Sequence, residues 1–142
     1  MLNKNAQAWV DALRSGDYKQ SRKSLHIVKK GESRFCCLGL ACHLYAKANP
    51  TEARWVLNPA ERGVYYSFWV GAIGEGAALS PKVCEWLGLV SDPNKKFFNT
   101  SVMFFDGAKE TNLIVLNDRG RRTFDQIADI IEANQKELFN AE

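Results

Sequence analysis

The segment from 35 to 48, FCCLGLACHLYAKA, has almost no polar face before His43 and Lys47. An element that is apolar nearly all round must be packed on several sides. Asn49-Pro50 then ends it. The spacing predicts a central buried helix over 35–48, with Gly39 tolerated where another backbone packs closely. The chain has 142 residues, enough to enclose such a helix and bury about two thirds of its unfolded surface without a disulfide or metal staple.

Other elements follow from local signals. A first helix is expected from Lys4 to Ser15, with Asn3 as N-cap, Leu2, Ala6, Trp9 and Leu13 on one face, and Gly16 as a left-handed stop. Lys30-Gly31-Glu32-Ser33 reads as a turn between short extended pieces. Val64–Val70 is rich in β-branched and aromatic residues and reads as a strand, followed by a glycine loop at Gly71, Gly74 and Gly76. Ser80-Pro81 opens a helix that stops at Gly88. The runs 97–105 and 113–116 read as two strands joined by a loop beginning Asp106-Gly107. Thr123 and Gln126 form a capping box ahead of a last helix that aligns Phe124, Ile127, Ile131 and Leu138. With no linker or repeat, residues 1–142 are expected to form one α+β domain, about four helices around a small, mainly antiparallel sheet.

The net charge of +3 is too mild for a dedicated polyanion binder, so the chain carries no strong nucleic-acid signal. Its distribution says more: +5 over residues 1–35 and −4 over 123–142. These ends either pair head to tail between subunits of a homo-oligomer or form two solvated faces. No apolar run approaches the ~20 residues of a membrane span, and MLNKNAQAWVDAL lacks a signal-peptide core. A cytoplasmic protein without membrane association is expected.

Cys36, Cys37, Cys42 and Cys84, with His26 and His43, invite a zinc site, but the paired knuckle spacing is absent. Buried reduced thiols are the simpler reading, and no metal or cofactor is expected. Disulfides do not suit a cytosolic chain, and the Asn99-Thr100-Ser101 glycosylation match is void for the same reason. Cys42 and His43 are neighbours in sequence and diverge around a helix axis, so adjacency makes no dyad. His26 is able to approach from the hairpin. The glycines at 71, 74 and 76 match neither dinucleotide nor P-loop spacing. Nothing in the sequence specifies an enzyme.

Two polar segments remain. Tyr18, Lys19, Gln20, Arg22 and Lys23 mix an aromatic, an amide and cations; Asn117, Asp118, Arg119, Arg121 and Arg122 lie just before a helix N-terminus. Backbone N–H groups at such a terminus favour an anion, and arginines add forked donors suited to phosphate. These ten residues form the candidate ligand site, against the plainer reading of a turn with solvated arginines. Trp55, Tyr65, Tyr66 and Trp69 are able to stack on a base, although core filling explains them equally well.

The blocks WVDALRSGDYKQ, RFCCLGLACHLY, LSPKVCEWLGL and LNDRGRRTFDQIADIIE resemble a group of small phage and prophage accessory proteins. They cover both ends and much of the middle, leaving 46–78 and 90–112 unmatched. This chain departs from the group at Ser21-Arg22-Lys23, where a glycine-rich continuation is expected, and at His43, where an acidic or small residue is expected. The resemblance implies a phage setting, in the cytoplasm of an infected bacterium, and a counter-defence role. Three functions are weighed within it: sequestration of a nucleotide-like small molecule without chemistry, inhibition of a host defence protein by direct binding, and catalysis on a nucleotide or thiol substrate. The two polar segments favour the first.

Overall fold

In the computed structural model the described residues are 2–60, 63–89 and 98–140. Helix α1 (Lys4–Arg14) opens where Asn3 Oδ1 accepts from the Ala6 amide at 2.7 Å. It buries Ala6, Trp9, Val10 and Leu13, and Trp9 Nε1 donates to the Cys37 carbonyl at 2.9 Å. Strands β1 (Lys19–Gln20), β2 (His26–Lys29) and β3 (Glu32–Phe35) follow. Lys30 and Gly31, with φ of 54° and 77°, form the tight turn between the last two, in the twist that suits a two-residue hairpin.

The apolar segment is helix α2 (Cys37–Ala48), with Cys36 as N-cap and every residue from Cys37 to Cys42 buried. Gly39 has its predicted reason: a side chain there would overlap the backbone of Leu25. Strands β4 (Ala53–Ala60), β5 (Gly63–Val70) and β6 (Ile73–Glu75) complete a six-stranded sheet. Its order is β1-β3-β2-β5-β4, with β6 continuing beyond β2 along the same edge of β5. All pairings are antiparallel except β1 with β3.

Helix α3 (Pro81–Leu87) is capped by Ser80 and stopped by Gly88 at φ 75°. Strands β7 (Met103–Asp106) and β8 (Lys109–Asn112) form a separate hairpin. Helices α4 (Leu113–Asp118), α5 (Phe124–Ala133) and α6 (Gln135–Leu138) finish the fold. The expected capping box at Thr123 and Gln126 is present, and Phe124, Ile127, Ile131 and Leu138 are all buried.

The protein is therefore α+β with a mainly antiparallel sheet, but several expectations need correction. Six helices stand among the described residues where about four were expected. Residues 113–116 are helical, because Asn112 caps the Val115 amide at 2.9 Å and helical spacing buries Leu113 and Asn117 together. The 97–105 strand begins only at Met103, and Phe97 lies outside the described residues. The 71–76 loop contains β6. Strand β4 is additional to the sequence reading: Asn58-Pro59 disguises it, and its place at the sheet edge is where proline is tolerated. The charged ends meet within the chain, where Arg14 of α1 pairs with Asp129 at 2.6 Å and with Glu132 of α5.

Candidate functional site

The two polar segments do come together. Gln20 Nε2 donates to Asn117 Oδ1 at 2.8 Å and to the Arg122 carbonyl at 2.7 Å. Asn117 Nδ2 donates to the Ser21 carbonyl and to Asp118 Oδ1, both at 2.9 Å. Asn117 Oδ1 also accepts from the Cys37 amide at 3.2 Å, which ties the junction to the first turn of α2. The Lys23 amide donates to Asp118 Oδ1 at 2.9 Å. Lys23 and Arg121 are held at φ of 78° and 49°, a conformation that costs a non-glycine residue roughly 1–3 kcal/mol and persists when its surroundings enforce it.

These bonds change what the segments offer. Asn117 is 1% exposed, so its amide and that of Gln20 lock backbone instead of facing a ligand. The capping box likewise occupies donors at the start of α5. Arg22, Lys23, Arg119, Arg121 and Arg122 are exposed and free of ion pairs among the described residues. Tyr18 and Lys19 stand apart from the rest, because they line a pocket.

That pocket has a volume of about 410 Å³ and is lined by Asp17, Tyr18, Lys19, His26, Glu32, Ser33, Phe35, His43 and Trp55. It exists because strand register and helix packing bring distant rings together. His26 pairs directly with Phe35 on one side and Tyr66 on the other, so all three project from one face of the sheet. The His26 ring stacks on both, at 4.4 Å from each. Trp55 meets His26 edge-on at 4.8 Å. From α2, His43 lies 4.9 Å from the Phe35 ring, and Tyr18 meets His43 edge-on at 5.7 Å. The volume falls in the range of small-molecule sites, and the mix of aromatic walls with a few polar groups is their usual chemistry.

Both imidazoles are neutral at physiological pH. Burial, and secondarily His43, push His26 down to about 4. His43 is lowered first by burial and then by Lys47. His26 Nε2 lies 3.1 Å from Ser33 Oγ, the separation of a nucleophile and its base. Yet His26 Nδ1 is buried without a hydrogen-bond partner, so no carboxylate orients the ring, and a base of such low proton affinity is poorly matched to neutral pH. The thiols are no better placed. All four cysteines are buried and free. Burial pushes Cys36 up to about 11, Cys84 up to about 12, and Cys37 and Cys42 well above the ordinary thiol value. Among the described residues no three His, Cys, Asp or Glu side chains gather as metal ligands, and no helix is long and apolar enough to cross a membrane.

The sequence reading singled out Tyr18 and Lys19 and weighed Trp55 as a ring able to stack on a base, but it passed over Phe35 and weighed His26 and His43 only for other roles. The available signal was the alternation across the hairpin, which sets His26 opposite Phe35 and aims Ser33 to the same face.

No curated protein and no solved structure matches the chain. A family model does: residues 1–135 match the family described as a domain of unknown function, DUF8296. That match takes in every residue of the pocket and of both polar segments, and the chain belongs to this family.

Proposed function

We propose that the protein binds and holds a nucleotide-like small molecule without chemistry. One observation carries this reading: a pocket of about 410 Å³ whose walls include Tyr18, Phe35, His43 and Trp55, with Lys19 among its lining residues. Planar bases stack on aromatic and imidazole faces with little dependence on sequence, and a lysine beside them answers an anionic group. The low proton affinity of His26 and the burial of every thiol favour holding over reacting. In the phage setting implied by the sequence resemblance, the role is sequestration of a nucleotide-type signal of host immunity.

A thermal-shift screen against mono-, di- and cyclic nucleotides tests this. A ligand at ~100 times its dissociation constant adds about 2.7 kcal/mol to stability. If no nucleotide raises the melting temperature, the reading fails.

A second reading, inhibition of a host protein, is favoured by Met103 and Phe105, which are 42% and 54% exposed on β7. The aromatics 55–69 do not add to it, since only Tyr65 of Trp55, Tyr65, Tyr66 and Trp69 is exposed. Phe105→Asp separates the two readings: nucleotide binding is unchanged under the first, and partner inhibition is lost under the second.

A further inference from the structure

Beside the aromatic pocket lies a second depression of about 310 Å³, lined by Lys19, Lys29, Lys30, Glu32 and Arg34. Register explains the cluster. Lys19 of β1 sits opposite Arg34 of β3, and Glu32 of β3 sits opposite Lys29 of β2. Alternation along β3 places Glu32 and Arg34 on one face and Ser33 and Phe35 on the other. Lys30 joins them from the turn. Four cations thus surround one carboxylate.

The carboxylate is fully engaged. Its Oε2 accepts from Lys19 Nζ at 2.7 Å and its Oε1 lies 3.1 Å from Arg34 Nη2. The site keeps unspent capacity even so. Arg34 Nε is buried without a hydrogen-bond partner, and Lys29 and Lys30 form no ion pair among the described residues. Lys19 and Glu32 also line the aromatic pocket, so the two depressions share these two residues.

We propose that this depression is a phosphate seat in which the Glu32 carboxylate occupies the position of the ligand's phosphate until the ligand displaces it. The inference rests on the nucleotide-holding reading and adds where the phosphate goes and what it must expel. With Glu32 swung away, Lys19, Lys29, Lys30 and Arg34 present four positive charges, suited to the dianion of a phosphomonoester, and Arg34 supplies a forked donor. The preferred ligand is therefore a nucleoside monophosphate and not a nucleoside. Glu32 lowers the affinity of every anion alike, because the same two ion pairs must break, so an anion is retained only if it engages the freed cations more fully than Glu32 does.

The test is a titration of ¹⁵N-labelled protein at fixed ionic strength with two probes, inorganic phosphate and adenosine, using the parent and Glu32→Gln. Phosphate should move the amides of Lys19 and of 29–34. Glu32→Gln should bind phosphate about three- to fivefold more tightly, the factor that release of an exposed ion pair permits. Equal phosphate affinity in the two proteins overturns the proposal, as do phosphate-induced shifts confined to Arg119–Arg122. The two readings fail separately. If adenosine moves the pocket residues while phosphate leaves 29–34 unmoved, the pocket stands and the seat falls. If phosphate binds at 29–34 while no nucleotide stabilises the fold, the seat stands and the nucleotide reading falls.

Discussion

Gly39 of α2 lies so close against the Leu25 carbonyl that a methyl group there would overlap both its oxygen and its carbon. The contact is backbone on backbone, so no flexible side chain is available to yield. It sits beside the hydrogen bond from the Cys36 amide to the Leu25 carbonyl at 3.2 Å. Together these fix the entry of β2 onto the helix, and His26 is the next residue. A packing requirement in the core thereby positions one wall of the pocket.

Gly39→Ala should accordingly destabilise the protein by about 3 kcal/mol, the upper end for overpacking a tight site, despite alanine's better helix propensity. Chemical denaturation measures this. A stability equal to the parent's would show that α2 and the residues before β2 are not in close contact.

Asn117 gives a second expectation. Its side chain serves Gln20, Ser21, Cys37 and Asp118 and is buried. Asn117→Ala strands buried polar groups, at roughly 1–3 kcal/mol for each one left unsatisfied, and should loosen the junction between 18–23 and 117–122. The expected result is a clear fall in melting temperature together with faster amide exchange at Cys37. If the variant unfolds like the parent, the network is not holding the segments.

Much of this fold was legible from local chemistry. Asn3, Ser80 and Thr123 announce three helix starts, Gly88 a stop, and the unbroken apolar character of 37–42 the central helix. The failures have physical causes. Residues 113–116 carry strand propensity, and tertiary burial of Leu113 and Asn117 with a cap at Asn112 overrides it. Pro59 conceals β4. The pocket was legible at Tyr18 and Lys19, and at Trp55 as a ring able to stack on a base; its other walls come from the β2–β3 hairpin and α2, and which of their faces meet is set by register and packing that local patterns do not specify. The juxtaposition of 18–23 with 117–122 was expected and is found, but its amides act on each other.

Stability should depend on pH through the pocket histidines. An unfolded histidine titrates near 6.5, and in the fold His26 titrates near 4 with His43 also lowered. Between these values the unfolded chain binds more protons than the folded one, so stability rises with pH. The contribution is complete above about pH 6.5 and is lost as pH falls towards about 4. Glu32, held below the ordinary carboxylate range by its hydrogen bond to Lys19 and, more weakly, by Arg34, loses its contribution only in more acidic solution. His26→Gln should flatten the loss between pH 6.5 and 4.5. An unchanged profile would show that His26 is not buried in neutral form.

The central claim is that ligand binds between the rings at Tyr18 and not on the arginines before α5. Isothermal titration of the most stabilising nucleotide into the parent, Tyr18→Ala and Arg119→Ala/Arg121→Ala measures this most directly. Loss of one stacking partner is worth about 1–3 kcal/mol per base, so Tyr18→Ala should weaken binding by about tenfold or more. The double arginine variant should keep its melting temperature, since exposed charges contribute little to folding, and should bind within about twofold of the parent, as charges outside the pocket contribute little once screened. Undiminished binding by Tyr18→Ala, with binding abolished in the double arginine variant, would contradict the account and place the ligand at 119–122.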